Sequence, residues 1–355
     1  MHLLTTSLSL WVRTIISEAI EDYVENIDSI NETNTISEHL FNEVIDHELH
    51  CLEAAVINKK SMEALPYLYP FTVEFNIIMA SIWYIIWTNI GKEHLSAPNK
   101  RQVSITSEDD LDEQQANSYR TSILINADCH SSNRGLFGGI TTLMATVVTI
   151  IIFFATLSIN RFGVSIYSGQ IAILTLICCV VVPFAYVKIR HLDVVKYEHF
   201  DNANTSMDDL LVLLPVPFFI IHYMHSIIVA FVNISIENVF LIIIYLFTII
   251  QVLIQTPFIV DGIRRCSNTK QLRYQKPGRE LIMFAIILNV SLWILNTFEL
   301  RYMDRLNGLE NYFGKLTWMI LSNANLPLML FYRFHSSVCL SDIWKYGYEK
   351  DSSFH

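Results

Sequence analysis

The sequence predicts an all-α fold, a polytopic membrane bundle of about seven transmembrane helices, on three observations. Of 355 residues, 52% are hydrophobic and only 16% charged, whereas soluble domains carry roughly a quarter of their residues charged. Seven apolar runs, at 71–90, 136–159, 166–188, 210–232, 239–260, 281–298 and 316–340, can each cross roughly 30 Å of hydrocarbon at about 1.5 Å per residue. The links at 160–165 and 233–238 are short enough to join antiparallel neighbours in a bundle.

Before the first run, residues 1–65 read as a partial helix followed by an acidic segment. The opening stretch is apolar but carries Arg13 and has no basic leader or small-residue cleavage site, so a signal peptide is not the expected reading. It is expected to be the end of a helix. Acids then dominate from Glu18 to Glu48, and a second acidic run, Glu108 to Glu113, lies in the polar loop 92–135. The net charge of −10 and the lack of a basic patch argue against nucleic acid as a partner. The middle of that loop has the composition of a disordered linker.

Lys and Arg concentrate in 91–135, 189–209 and 261–280. By the positive-inside rule these links and the tail 346–355 are cytoplasmic, with the N-terminal acidic segment outside. The six cysteines show no CxxC and no Cys/His grouping, so neither a disulfide framework nor a metal is expected. His222 and His225, spaced i, i+3, read as packing residues rather than ligands. No Ser/His/Asp grouping, HExxH or phosphate-binding glycine loop occurs. No enzyme activity, catalytic residue or cofactor is expected.

Polar residues within the spans fall on helical faces. Glu74, Ser81, Tyr84 and Thr88 align in the first span; Thr248, Gln251 and Gln255 in the fifth; Asn289, Trp293, Asn296 and Glu299 in the sixth. The seventh aligns Ser322, Asn325, Tyr332, His335 or Ser336, and Cys339. Stripes of this kind are costly against lipid and should face the interior or a wet cavity. Interhelical bonding, worth about 0.6 kcal/mol per contact, is the plainer role for Thr248, Ser81, Ser322 and Asn325. Asp261 with Arg264 and Arg265 reads as helix-end support.

The last span also carries Arg333, a charge that costs roughly 3 kcal/mol at mid-membrane. Arg333 and His335 are about 160° apart around a helix, so both cannot line one narrow path. His335 shares the polar stripe and can titrate. Arg333 should instead reach a carboxylate or carbonyl on another helix.

Several runs resemble the otopetrins. Tyr67-Leu-Tyr-Pro-Phe-Thr-Val-Glu-Phe75 with Tyr84-Ile-Ile-Trp-Thr-Asn89 is similar to their sixth helix, and Asp128-Cys129 with Arg134-Gly-Leu-Phe-Gly138 to the entry of the seventh. Gln251-Val-Leu-Ile-Gln-Thr, Asp261-Gly-Ile-Arg-Arg-Cys266 and Lys276-Pro-Gly-Arg-Glu280 resemble the tenth helix and the turn after it. Asn289-Val-Ser-Leu-Trp-Ile-Leu-Asn-Thr-Phe-Glu299 resembles the eleventh, and Leu326-Pro-Leu with Phe331-Tyr-Arg-Phe-His-Ser336 the twelfth. The start, Met1-His-Leu-Leu-Thr-Thr with Leu10-Trp-Val-Arg13, resembles the tail of the fifth.

Otopetrins are proton-selective, acid-activated channels of twelve helices in two six-helix halves, assembled as homodimers. The resemblance therefore implies a plasma-membrane proton channel subunit, with 66–91 as the last helix of the first half and 136–345 as the complete second half. It implies proton-path or gating roles for Glu74, His335, Gln251, Gln255, Asn289, Asn296, Glu299, Asn325 and Tyr332. Arg333 and Asp261 would be structural supports. Partners would be protons, the bilayer, and a second copy or a full-length otopetrin-like subunit. Because the chain is expected to start within the fifth helix, a non-conducting partner of a full-length channel is an alternative, as is a seven-helix receptor.

Overall fold

The computed structural model describes residues 2–14, 16, 71–72, 75–87, 132–156, 162–194, 202–232, 234–300 and 309–350. Glu74 and nearly all of the acidic segment and the polar loop 92–131 lie outside these. The described helices, in chain order, are α1 (2–14), α2 (Phe75–Trp87), α3 (Asn133–Thr156), α4 (Phe162–Ile189), α5 (Asn202–Leu213), α6 (Val216–Val232) and α7 (Ile236–Gly262). They continue as α8 (Lys270–Gln275), α9 (Arg279–Leu295) with a π-helical turn Asn296–Leu300, α10 (Leu309–Phe313) and α11 (Lys315–Tyr346).

The chain forms an all-α membrane bundle. Among the described residues, five segments are long and apolar enough to cross a bilayer: α3, α4, α5 joined to α6, α7, and α9 with its π turn. At 32 residues α11 has the length to span, but Arg333, His335 and its many amides and hydroxyls lower its apolarity. The fourth span, expected as one run, is broken at Leu214–Pro215. Pro215 and Pro217 have no N–H to offer the carbonyls four residues back, and their rings clash with that preceding turn.

Six membrane segments close a ring. Going round it, α3 packs on α4, α4 on α7, α7 on α6, α6 on α11, α11 on α9, and α9 again on α3. Contacts of α9 with α4 and of α11 with α7 fill the middle. One apolar core runs through the ring, from Phe153 and Leu174 through Phe219, Val252 and Leu288 to Tyr332 and Leu340. A smaller cluster outside it joins Ile77 of α2 to Leu211, Leu328 and Phe331.

The α3–α9 seam is close because α3 presents Gly135 and Gly139 to it. A Cβ on Gly135 would lie 1.9 Å from Glu280 O, and one on Gly139 would lie 2.4 Å from Ile287 Cδ1. Small residues four apart allow such backbone approach between membrane helices. At the basic end of the ring, two-residue strands β1 (Asp193–Val194) and β2 (Arg265–Cys266) pair antiparallel, Asp193 opposite Cys266.

Candidate functional site

The polar stripes of α7, α9 and α11 meet inside the ring. Gln251 and Gln255 are one turn apart on α7, and Gln251 Nε2 donates to Gln255 Oε1 at 2.7 Å. Gln255 Nε2 then donates to Asn289 Oδ1 on α9 at 2.9 Å. Asn289 Nδ2 returns to its own helix, donating to Ala285 O at 2.9 Å. Asn289 is fully buried, so each amide in this ladder takes its partners from protein.

From α11, Tyr332 and Arg333 enter the same region. Tyr332 Oη lies 3.0 Å from Thr256 Oγ1 and donates to Val252 O at 3.3 Å. Pro257, the residue after Thr256, leaves Leu253 O without its helical donor. Arg333 Nη1 donates to Gln251 Oε1 at 2.7 Å, and the guanidinium carbon lies 5.3 Å from the Phe219 ring centre on α6. The expectation that Arg333 reaches a carbonyl on another helix is met by the Gln251 amide.

Asn296 and Asn325 form a second level. Each lies seven residues, about 10 Å of helix rise, from Asn289 and Tyr332 respectively. Because α9 and α11 run antiparallel and pack together, the two asparagines share a depth. Both are buried, and Asn296 Oδ1 and Asn325 Nδ2 have no partner among the described residues. Glu299 falls in the π-helical turn that follows Asn296; such turns recur at functional sites.

His335 points elsewhere. It is 8% exposed, stacks on Phe331 with ring centres 5.2 Å apart, and has Nε2 3.5 Å from Cys339 Sγ. Phe331 belongs to the outer cluster with Ile77 and Leu211. The stripe drawn through Asn325, Tyr332 and His335 therefore divides, with Tyr332 and Arg333 joining the ladder and His335 facing α2 and α5. Sequence spacing could not separate them, since i+3 and i+4 both count as one face.

Asp261 receives Arg265 through both carboxylate oxygens, the closest contacts at 2.8 Å. Arg265 also donates to the carbonyls of Arg190 and Leu192, tying α7 to the end of α4. Arg264 pairs instead with Asp209. His222 lies between Tyr223 and Trp318, and His225 stacks edge-on to Phe313. Both are placed for packing. Among the described residues no group of three or more His, Cys, Asp or Glu is arranged to hold a metal ion.

Thr256 and Phe219 were not singled out by spacing. The adjacent Thr256-Pro257 pair was the available signal for the first; nothing in the sequence marks the second. The Gly135…Gly139 spacing was also legible.

The otopetrin family model matches residues 25–334. The chain belongs to the otopetrin family. Two relatives align along nearly all of this otopetrin: "Proton channel OtopLc" of Drosophila melanogaster, 27% identical over 98% of the chain and 23% of its own length, and "Proton channel OTOP3" of Homo sapiens, 23% identical over 97% and 61%. A shorter stretch of 76 aligned residues is 40% identical to "Proton channel OTOP1" of Danio rerio. The otopetrin chain thus spans less than two thirds of the length of these relatives.

Proposed function

We propose that this otopetrin is a proton channel subunit of the plasma membrane that admits H+ when the outside is acidified. The observation that carries the reading is the buried seam between α7, α9 and α11. There, amides, hydroxyls and one guanidinium bond only to each other and to backbone, at a depth where polar side chains are expensive unless used. Protons need a continuous hydrogen-bonded relay, whereas metal cations need carbonyl or carboxylate rings. Asn296 and Asn325, whose Oδ1 and Nδ2 have no partner among the described residues, start such a relay, and Gln251, Gln255, Asn289 and Tyr332 continue it. Glu74, Glu299 and His335 supply groups able to take up and release a proton.

In this reading residues 66–91 form the last helix of a first half, and 136–345 a six-helix second half. Residues 1–65 face outside; the loop 92–135 and the tail 346–355 face the cytoplasm. The unit is completed by a second copy or by a longer otopetrin subunit. The names of the relatives, each a proton channel, support this choice over a receptor.

Whole-cell recording during external acidification is the test. The expected result is inward current that follows the proton gradient and falls at least about tenfold, a barrier change of 1.4 kcal/mol, in the double variant Glu74→Gln, His335→Ala. Current indifferent to the gradient, or unchanged in that variant, would overturn the mechanism. No current alone, but altered current beside a longer otopetrin, would assign the partner role.

A further inference from the structure

We propose that Arg333 is the charge barrier that closes the polar seam between α6, α7 and α11 to metal cations, turning a proton path aside toward His335. This deepens the channel reading by naming its discriminating residue, and it rests on that reading only for the proton flux of the unaltered chain.

The guanidinium is buried in the seam between α6, α7 and α11. Its side chain, 1% exposed, leaves α11, bonds Gln251 on α7 and lies against Phe219 on α6. Three of the six ring segments, α6, α7 and α11, thus meet at it. Among the described residues the carboxylate–cation pairs are Arg264 with Asp209 and Arg265 with Asp261, and Arg333 has none. Its one bonded side-chain acceptor is a neutral amide, and its Nε, fully buried, has no partner.

A guanidinium keeps its proton in proteins, so the charge is permanent. At about 4 Å and an effective dielectric near 20, repulsion between like unit charges suppresses occupancy on the order of a thousandfold. A desolvated metal cation that follows the ladder must come that close, because Arg333 bonds Gln251 at 2.7 Å. Fixed arginines bar cations from other pores on this principle. A proton has another exit. At Tyr332 the relay is one residue from Arg333 and three from His335, which faces the α2–α5 side and is not in the ladder.

The test reconstitutes the full chain in liposomes and follows rubidium uptake and internal pH together. Arg333→Gln removes the charge. Arg333→Lys keeps it. Gln251→Glu leaves Arg333 in place and neutralises it with an isosteric carboxylate, so it does not depend on the arginine variants folding. Rubidium uptake should rise about tenfold or more, 1.4 kcal/mol of lost barrier per decade, in Arg333→Gln and Gln251→Glu but not in Arg333→Lys.

Uptake in Gln251→Glu equal to the unaltered chain would overturn the proposal, whether Arg333 is merely structural or already neutralised by Glu74 or Glu299. If the unaltered chain moves no protons while Gln251→Glu admits rubidium, the barrier stands and conduction by this chain alone falls.

Discussion

Gln255 is the residue on which the ladder depends. Its amide accepts from Gln251 and donates to Asn289; replacing it with leucine strands both buried partners. An unsatisfied buried polar group costs about 1–3 kcal/mol. Gln255→Leu should therefore lower stability by about 2–4 kcal/mol, measured as thermal unfolding in detergent. Tyr332→Phe is milder. Val252 O keeps its bond from Thr256 Oγ1, so the loss should be about 0.5–1.5 kcal/mol. A Tyr332→Phe loss as large as that of Gln255→Leu would mean that the hydroxyl, and not the amides, holds the seam. At this scale spacing identified Gln251, Gln255 and Asn289 as one interior set. That Arg333 would leave for another helix was legible, but not that its partner is Gln251, because a long side chain can reach several neighbours.

Helix contacts follow from glycine and proline placement. Gly135→Ala would drive a Cβ into backbone, Glu280 O at 1.9 Å, which no rotamer change relieves. Overpacking of this kind costs about 1–3 kcal/mol. Gly138→Ala meets only the Phe284 ring at 3.4 Å and should change stability by less than about 0.5 kcal/mol. Comparing the two unfolding curves tests whether α3 is seated by its Gly135…Gly139 face. Of the seven expected spans, five coincide, with shifted ends, with segments long and apolar enough to cross a bilayer, since hydropathy alone does not mark where a helix ends. The break between α5 and α6 was present in the sequence as Pro215 and Pro217, but apolarity alone masked it.

For the whole molecule, a clasp closes the basic end. Arg279 stacks 4.3 Å from the Trp344 ring centre, Trp344 Nε1 donates to Ser132 Oγ, and Tyr348 Oη donates to Pro277 O at 2.8 Å. Ser267 holds the same tail through the carbonyls of Gly347 and Glu349. Starts of α3 and α9 and the end of α11 are thus one unit. Arg279→Gln should cost about 0.5–2 kcal/mol and expose the tail to limited proteolysis.

Burial pushes the Tyr348 phenol above its ordinary range, partly offset by the Arg279 charge. The folded chain then holds this proton more tightly than the unfolded chain. Its stabilising share is constant below about pH 10 and declines as pH rises further. Tyr348→Phe should abolish that alkaline decline, read as the difference between melting curves at pH 8 and about pH 11; an unchanged slope would mean the phenol is not enclosed.

The chain's own residues determined the fold class, the family, five of the expected spans and which amides face inward, because apolar length and helical period are local properties of the chain. The tertiary structure alone decided that Gln251, Gln255 and Asn289 bond in one ladder, that Tyr332 joins it through Thr256, and that Arg333 rather than His335 enters the ring. These depend on the rotation of each helix against its neighbours. That rotation is set by packing of glycine faces and proline breaks across the bundle, which no single helix encodes.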